Sequence, residues 1–334
     1  MTATSPILQV RDLKAYYRLK AFGVTREVRA VDDVSFSINR NEIYGLAGES
    51  SSGKSSLIKT IARAIRPPLE VVAGSVEFAF RDGPRDIYRL DQSSLSAIRW
   101  SHLSYIMQGS MSVLNPVRRV KHAFADFAGR HLELPADAFR KAIEQHLARL
   151  HLEPRVLDAF PHELSGGMRQ RVTIALATVC QPEFIIADEP TTALDVIVQK
   201  GVLTTLRQVQ QELGASVLFV THDMAVHANL TDRLGIMYAG RLVEEGRTRD
   251  IFRKPLHPYT AHLIGSLPRL DDDTPKQGLS GSPPNLSAPP AGCRFHPRCP
   301  LAIDICGRET PAMVELAPGH RVACHVAEAR GATA

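Results

Sequence analysis

The chain has 334 residues, of which 44% are hydrophobic and 22% charged, so it can form a packed core and extensive disorder is excluded. The formal net charge of +5 fits an anionic nucleotide or an acidic membrane surface, but it is too small to indicate nucleic acid as a partner, and the preferred interpretation is a solvated, slightly basic surface. Apolar runs fall well short of the roughly 18–20 residues that span a bilayer, and residues 1–10 do not resemble a secretory signal. We therefore expect a cytosolic protein that reaches a membrane only through a partner.

The first elements predicted along the chain are strands. Apolar and polar residues alternate at 7–20, as in an edge strand, and again at 34–38, and we expect an antiparallel β part near the N-terminus. The apolar run at 43–47 predicts a buried strand that enters a glycine turn. One apolar face at 55–66 predicts a helix, which the prolines at 67–68 end.

The middle of the chain alternates helices and strands. Amphipathic patterns at about 95–163 predict a helical insertion, and short apolar runs at 184–187 and 217–220 predict two buried strands separated by a helix at 196–213. Strands that alternate with helices indicate an α/β fold with a mainly parallel sheet.

The composition changes after residue 266. Residues 268–292 are rich in proline, glycine and serine, which predicts a linker or irregular arm, and four of the five cysteines follow it. We therefore expect a main domain at 1–265, with its helical subdomain at about 95–163, and an irregular cysteine-bearing C-terminal extension at 266–334.

The segment Gly48-Glu49-Ser50-Ser51-Ser52-Gly53-Lys54-Ser55 matches the phosphate-binding pattern G-x-x-x-x-G-K-[ST]. It follows a predicted strand and opens a predicted helix, so its backbone N–H groups and the helix N-terminus favour phosphate oxygens over the alternative of a flexible glycine turn. Lys54 would contact the β- and γ-phosphates, and the Ser55 hydroxyl would bind Mg²⁺. We assign nucleotide contacts to Gly48, Ser50, Ser51, Ser52, Gly53, Lys54, Ser55 and Ser56. The core is thus a P-loop NTPase fold.

Two carboxylates end the strand predicted at 184–187. Asp188 is placed to hold Mg²⁺, directly or through water, and Glu189 to polarise a water for attack on the γ-phosphate. By itself an Asp-Glu pair after a strand is more often a solvated turn, but together with the loop at 48–55 it indicates a hydrolytic site.

The segment Leu164-Ser165-Gly166-Gly167-Met168-Arg169-Gln170-Arg171 resembles the signature motif of ATP-binding-cassette (ABC) ATPases. Ser165, Gly166 and Gly167 would offer unhindered donors at a helix N-terminus, where the dipole favours an anion. The alternative is an ordinary serine N-cap. The other motifs surround this one in the order of the family, which favours the resemblance.

The resemblance implies further roles. Tyr17 corresponds to the aromatic residue that stacks on adenine, with Tyr16 as the alternative; the competing interpretation is that both are ordinary strand residues. Gln108 corresponds to the glutamine that contacts Mg²⁺ and the attacking water, and His222 to the histidine that contacts the γ-phosphate. Asp195 corresponds to the loop that crosses between two cassettes. The implied catalytic residues are Glu189, His222 and Gln108.

The resemblance also implies partners. Two cassettes of this family stack head to tail, with each ATP held between the lysine loop of one and the signature of the other. A chain with one set of motifs therefore needs a second cassette, identical or paralogous, two transmembrane permease subunits and an extracytoplasmic solute-binding protein. These place it on the cytoplasmic face of the inner membrane as a peripheral subunit.

Within the family the chain is most similar to oligopeptide and dipeptide importer subunits over about residues 7–325. The stretches that carry this similarity are 112–116, 191–196, 257–260 and 292–300. The chain departs from these subunits at Ser51, where relatives often have glycine, and at Gly109-Ser110, where Asp-Pro is usual. Subunits of this pattern also serve oligosaccharides and nickel, so the cargo stays open.

Cys293, Cys299, Cys306 and Cys324 lie close together in the sequence. A protein that uses cytosolic ATP is in a reducing compartment, so an Fe–S cluster, Zn²⁺ or unmetallated thiols are the alternatives to disulfides. The spacing is wider than the C-x₂-C of common zinc or ferredoxin sites. The resemblance implies a [4Fe–4S] cluster, whereas Cys180 is expected to be a core residue.

Two other functions compete with import. A soluble cassette protein acting on nucleic acid or ribosomes usually has two cassettes or coiled-coil arms, neither of which is visible here. An exporter ATPase would lack the cysteine-bearing tail and the stretch at 257–260.

Overall fold

The computed structural model describes residues 5–21, 23–109, 113–192, 194–267 and 278–331. The predictions at Ser110, Ser112 and Ala193 lie outside these ranges. The chain divides into two compact units, each assembled from separate stretches of sequence. The first unit comprises Met1–Ile7, Ile38–Glu42 and Phe78–Phe219, and the second comprises Leu8–Ser37, Ile43–Glu77 and Val220–Ala334.

Strands and helices follow one another along most of the chain. The strands are β1 (Pro6–Ala21), β2 (Val24–Asn39), β3 (Ile43–Ala47), β4 (Leu69–Phe80), β5 (Gly83–Asp86), β6 (Leu103–Ile106), β7 (Phe184–Asp188), β8 (Ser216–Val220), β9 (Arg233–Tyr238), β10 (Arg241–Arg247), β11 (Val314–Ala317) and β12 (His320–Val322). The helices are α1 (Lys54–Ile61), α2 (Gln92–Ile98), α3 (Val120–Ala128), α4 (Ala136–Arg149), α5 (Gly166–Thr178), α6 (Val196–Leu213), α7 (Met224–Leu230), α8 (Thr248–Arg253), α9 (Pro258–Gly265) and α10 (His325–Gly331). Among the described residues, none of these helices is both long and apolar enough to cross a bilayer.

In the first unit, β7 lies between β8 and β6. β6 and β7 are parallel, with Leu103 opposite Phe184 and Ile106 opposite Ala187. Every residue of β7 is buried, as expected for a strand with both faces covered. Helix α5 packs against β6 and α6, and α3 and α4 pack against α5. The parallel pairing with β6 positions the end of β7, where Asp188 lies.

In the second unit the strand order is β11-β12-β10-β9-β3. β3 and β9 are parallel, whereas β9 with β10, β10 with β12 and β11 with β12 are antiparallel. A further sheet places β1 between β2 and β4. Because only residues 22–23 separate β1 from β2, these neighbours can pair only in antiparallel fashion.

The predicted fold class is confirmed: an α/β core with parallel strands, an antiparallel part near the N-terminus and a helical insertion. Three details differ from the sequence prediction. Helix α1 ends at Ile61, short of the predicted residue 66. β6 lies within the range predicted as helical, and the extension contains β11, β12 and α10. β12 pairs with β10, which explains why a segment with few apolar residues is ordered. The domain boundary at 265/266 stays a prediction.

Candidate functional site

The Lys54 loop, residues 48–55, connects β3 to α1 in the second unit. All five residues of β3 are buried, so this well-packed strand fixes the position at which the loop begins. α1 begins at Lys54, and Gly53 is its N-cap. Because glycine has no side chain with which to cap the first turn, the N–H groups at this helix tip are suited to an anionic ligand.

Glycine is required at both ends of this loop. Gly48 has a φ of 149° and Gly53 a φ of 102°, which disfavour residues with a side chain. A Cβ atom at Gly48 would lie 2.1 Å from the carbonyl oxygen of Met237, and one at Gly53 would lie 2.0 Å from that of Ala30. The backbone therefore curls tightly against its neighbours, as a phosphate cradle needs.

The Lys54 side chain is folded into the loop and is only 8% exposed. Its Nζ donates to the carbonyl oxygens of Gly48 and Glu49 at 2.6 and 2.8 Å, and to Ser52 Oγ at 3.3 Å. The ammonium is thus held on the concave side of the loop, where a phosphate oxygen would meet it.

The serines of the loop divide into two groups. Ser50, Ser51 and Ser55 are exposed, whereas Ser52 and Ser56 are buried. Ser51 has a φ of 64°, a left-handed conformation that glycine adopts more readily than serine. The exposed Ser55 hydroxyl stands on the first turn of α1, where an Mg²⁺ ligand is predicted.

The structure distinguishes the two candidate adenine-stacking tyrosines. Tyr17 is half-buried, and its hydroxyl lies 3.1 Å from Ser56 Oγ, so it is next to the Lys54 loop. Tyr16 is buried and its hydroxyl donates to Asp32. Burial, together with that hydrogen bond, raises the pKa of Tyr16 to about 12. Tyr17 is therefore the better placed of the two.

His222 belongs to the second unit, two residues after the end of β8, and is exposed. Its neighbour Asp223 caps α7 by accepting hydrogen bonds from the backbone N–H groups of Ala225 and Val226. This capping fixes the turn that carries His222, while its predicted contact with the γ-phosphate stays a prediction.

The first unit brings Asp188, Glu189 and Gln108 together. Asp188 is 3% exposed, and Tyr105 donates to its Oδ2 at 3.0 Å. Gln108 Nε2 donates to Glu189 Oε2 at 3.0 Å, and Thr192 Oγ1 donates to the same oxygen at 3.0 Å. Two residues predicted to act on the attacking water are thus hydrogen-bonded to each other.

Backbone and electrostatics support this arrangement. Glu189 has a φ of 45°, a left-handed conformation that is rare for a residue with a side chain and is typical of functional sites. Burial and the neighbouring Asp188 carboxylate raise the pKa of Tyr105, so this hydroxyl remains a neutral donor. It orients the carboxylate that is predicted to bind Mg²⁺.

The signature residues also lie in the first unit. Ser165 is the N-cap of α5 and accepts a hydrogen bond from the Met168 N–H at 3.3 Å, and Gly166 and Gly167 form the first turn. Asp195 caps the adjacent helix α6 in the same way, with Val198 N donating at 2.9 Å. The capping alternative therefore describes Ser165 correctly, and it leaves the Gly166 and Gly167 N–H groups at the helix tip.

The four cysteines of the extension form no disulfide, and Cys293 is close enough to the other three for their charges to act on it. Burial raises the pKa of Cys293 to about 11, and the other three thiols add to the shift. The backbone N–H of Cys293 donates to the Cys306 carbonyl at 2.8 Å. However, among the described residues no group of three or more His, Cys, Asp or Glu side chains is arranged to hold a metal ion. The geometry does not support the predicted ligand set of Cys293, Cys299, Cys306 and Cys324.

The sequence did not predict the residues that surround Glu49 in the Lys54 loop. Its backbone N–H donates to Tyr259 Oη at 2.7 Å, and its carboxylate is paired with Arg298. Both partners lie in stretches singled out above only as family markers, 257–260 and 292–300. The family resemblance of those two stretches marked them as important, but it did not indicate that their side chains contact Glu49.

Two family models match the chain. One, described as ABC transporter, matches residues 31–192, and the other, described as oligopeptide/dipeptide transporter, C-terminal region, matches residues 243–306. The chain is 38% identical over 328 residues to the dipeptide transport ATP-binding protein DppD of Caldanaerobacter subterraneus, covering 97% of this chain and 98% of the relative. It is 39% identical over 335 residues to the oligopeptide transport ATP-binding protein OppD of Escherichia coli, covering 97% and 96%.

Solved structures show the same fold. A dimeric ATP-binding cassette in a post-hydrolysis state, bound to ADP and Pi, aligns with a TM-score of 0.60 and 25% identity over 72% of this chain and 99% of its own. CbiO1 of Clostridium perfringens, part of an ABC transporter complex, aligns with a TM-score of 0.60 and 25% identity over 75% and 91%.

Proposed function

The chain belongs to the oligopeptide/dipeptide class of ABC transporter ATP-binding proteins, and from this membership we propose that it energises the import of oligopeptides, dipeptides or a related solute. Proteins of this family are ATPases whose hydrolysis is coupled to transport. One observation carries the assignment to peptide import. The match to the oligopeptide/dipeptide transporter C-terminal region lies in the same chain as a complete set of nucleotide motifs.

The Lys54 loop binds the phosphates of ATP in this proposal. Its backbone N–H groups and the tip of α1 hold the phosphate oxygens, and Lys54 moves its ammonium from the Gly48 and Glu49 carbonyls to the β- and γ-phosphates. Tyr17 stacks on the adenine ring.

Oxygen donors of this chain would hold Mg²⁺. The Ser55 hydroxyl, the Asp188 carboxylate and the Gln108 amide oxygen are of the chemical type that Mg²⁺ prefers. Asp188 is held ready by Tyr105, which occupies one of its two carboxylate oxygens with a hydrogen bond. When bound, the ion neutralises phosphate charge.

Hydrolysis requires an activated water. Glu189 accepts hydrogen bonds from Gln108 and Thr192 on one oxygen, so its other oxygen is oriented to accept a proton from the water. Gln108 helps to position the same water, and the exposed His222 contacts the γ-phosphate.

A second cassette completes the site. Ser165 and the Gly166 and Gly167 N–H groups of one chain contact the ATP held by the Lys54 loop of the other, and Asp195 lies at the junction. Two permeases and an extracytoplasmic solute-binding protein complete the transporter, which places the chain at the cytoplasmic face of the inner membrane as a peripheral subunit.

A [4Fe–4S] cluster on Cys293, Cys299, Cys306 and Cys324 is a finer proposal. What favours it is the chemistry of four neighbouring thiols in a reducing compartment. The described side chains would have to rearrange to bind it. Iron and acid-labile sulfide measured after anaerobic purification test it: about four of each per chain supports the cluster, and neither iron nor sulfide overturns it.

Reconstitution tests the transport function. The chain is assembled with its permeases, its partner cassette and its binding protein in lipid vesicles, and ATP hydrolysis and uptake are followed with dipeptides, longer peptides, oligosaccharides and Ni²⁺. We expect uptake of peptides that requires ATP, and its loss in a Lys54→Ala variant, with Lys59→Ala on the exposed face of α1 as the control. Uptake of sugar or nickel instead would select the alternative cargo. Normal hydrolysis by the Lys54→Ala assembly would refute the assignment of the site.

A further inference from the structure

Glu49 of the Lys54 loop is held by residues that are distant in the sequence. Tyr259 binds its backbone and Arg298 binds its side chain. The peptide unit between Gly48 and Glu49 is held at both ends. Its N–H donates to Tyr259 Oη at 2.7 Å, and its C=O accepts from Lys54 Nζ at 2.6 Å. The orientation of this peptide plane is therefore set jointly by Tyr259 and Lys54.

The Glu49 carboxylate is held by a guanidinium fork. Arg298 Nη1 donates to Oε2 at 2.9 Å and Nη2 donates to Oε1 at 3.2 Å, which is the bidentate geometry of a strong charge-assisted pair. The Arg298 side chain is 7% exposed and that of Glu49 is 23% exposed, so water screens the pair only partly. Nη1 also donates to Tyr238 Oη at 3.2 Å, and Nε donates to the Ser280 carbonyl at 3.1 Å.

The position of Arg298 is determined by the cysteine-bearing extension. It ends the single 3₁₀ turn His296–Arg298, which is closed by a hydrogen bond from its own N–H to the Phe295 carbonyl at 2.9 Å. Phe295 is 1% exposed and packs edge-on against Tyr238, with Tyr259 as a further neighbour. The aromatic residue that anchors the extension thus packs against both tyrosines that contact Glu49 or its arginine.

We propose that the extension is a positioning element for the phosphate-binding loop, and that Arg298 is its positioning residue, acting through Glu49. The fork fixes the Glu49 side chain, Tyr259 fixes its peptide plane, and together they hold the Lys54 loop in the conformation that receives phosphate. This inference rests on the proposed nucleotide-binding role of that loop. It gives the C-terminal region a function in nucleotide affinity.

The test measures binding of ADP with Mg²⁺ to the full-length chain by calorimetry, since ADP reports on the loop without hydrolysis. We expect Arg298→Ala and Glu49→Gln each to weaken ADP binding about tenfold, the size expected for loss of one charge-assisted pair. If Arg298 acts through Glu49, the double variant is also weakened about tenfold rather than about a hundredfold. Glu49→Gln leaves every residue of the extension unchanged. If Arg298→Ala folds poorly, the ADP affinity of Glu49→Gln therefore still tests the proposal.

Two controls separate positioning from stability. Arg308→Ala removes an exposed guanidinium from the same extension and should bind ADP as the parent does. Val322→Ala truncates a buried residue of β12, so it should lower the unfolding temperature and leave ADP affinity unchanged well below that temperature.

The outcomes are distinct. Parental affinity in Arg298→Ala, additive losses in the double variant, or an equal loss in Val322→Ala would each overturn the positioning role. Failure of the parent chain itself to bind ADP would refute the proposed function of the loop instead.

Discussion

Substitution of Gly53 by alanine tests the geometry of the Lys54 loop. Two costs follow from the structure. A φ of 102° costs a residue with a Cβ about 1–2 kcal/mol. The added Cβ would also lie 2.0 Å from the Ala30 carbonyl oxygen, whereas ordinary contacts begin at 3.4 Å. The loop must therefore shift by roughly 1 Å, at a further cost of about 1–3 kcal/mol.

The expected result is a loss of about 2–5 kcal/mol in the free energy of unfolding, together with ATP binding weakened at least about tenfold, because displaced N–H groups no longer reach the phosphates in good geometry. Two alanine variants act as controls. Gly83 has a φ of 123° but open space around its Cβ, so Gly83→Ala carries the strain without the clash. Gly265 ends α9 with open space around its Cβ, so Gly265→Ala carries no clash.

The assay combines urea unfolding followed by circular dichroism with calorimetric titration of ATP. Gly83→Ala and Gly265→Ala should bind ATP as the parent does, and Gly53→Ala should not. The reasoning fails if Gly53→Ala is no less stable than Gly83→Ala and binds ATP within twofold of the parent.

Glu189→Gln should retain ATP and slow its hydrolysis by about a hundredfold or more in the assembled transporter, since it removes the proton acceptor while an amide oxygen can still accept hydrogen bonds from Gln108 and Thr192. Single-turnover kinetics measure this, with Glu212→Gln as a control at an exposed position. Hydrolysis by Glu189→Gln at the parental rate would rule out Glu189 as the base. Asp32→Asn should destabilise the chain by about 3–5 kcal/mol at neutral pH, because Arg294 loses a buried ionic partner. Burial raises the pKa of Asp32, but the hydrogen bond from Tyr16 and the charge of Arg294 outweigh burial, so the net pKa lies below the ordinary value of 3.8. The stabilisation that ionised Asp32 provides is therefore complete above the unfolded-state pKa of 3.8 and is lost as the pH falls through the folded-state pKa. The difference in free energy of unfolding between the parent and Asp32→Asn should therefore narrow in acid. A difference that stays constant with pH would contradict this account.

Elements with local signals were predicted well. Helix α6 spans Val196–Leu213 as expected, because Asp195 caps its start and Gly214, with a φ of 61°, ends it. The buried runs that became β3 and β7 were also recognised from composition alone.

Helix α1 shows where a local pattern misleads. Its apolar periodicity continues to residue 66, yet the helix ends at Ile61, and Arg63 adopts a left-handed φ of 47°. Periodicity reports which residues are buried, and a turn can bury an apolar side chain as well as a helix can.

Buried charges could not be predicted from the sequence. Glu244 and Glu245 of β10 resemble surface residues, yet they are 0% and 1% exposed. Glu244 accepts hydrogen bonds from the backbone N–H groups of Leu256 and His257 and is paired with His320, while Glu245 is paired with Arg233 and Arg321. Because two of these partners lie on β12, only the tertiary structure shows why β10 tolerates carboxylates.

For the site, the resemblance placed Gln108, Asp188 and Glu189 in the same neighbourhood, although 81 residues separate Gln108 from Glu189. The partner of Glu49 lies 249 residues away in the sequence, where local pattern and motif order offer no guidance. Motifs identify groups that touch the nucleotide, whereas the groups that hold those motifs in place depend on the packing of the particular chain.

The extension is therefore better described as a component of the nucleotide-binding unit than as an appendage to it. Arg294 is paired with Asp32, Arg298 is paired with Glu49, and Phe295 between them fills the aromatic core, so three attachments fix one short turn. The match to the oligopeptide/dipeptide C-terminal region begins at residue 243, inside β10, which pairs with β12 of the extension. A truncation at residue 266 would expose one edge of β10 and leave Asp32, Glu49 and Glu244 without their buried cations or histidine, so the loss should extend to the Lys54 loop.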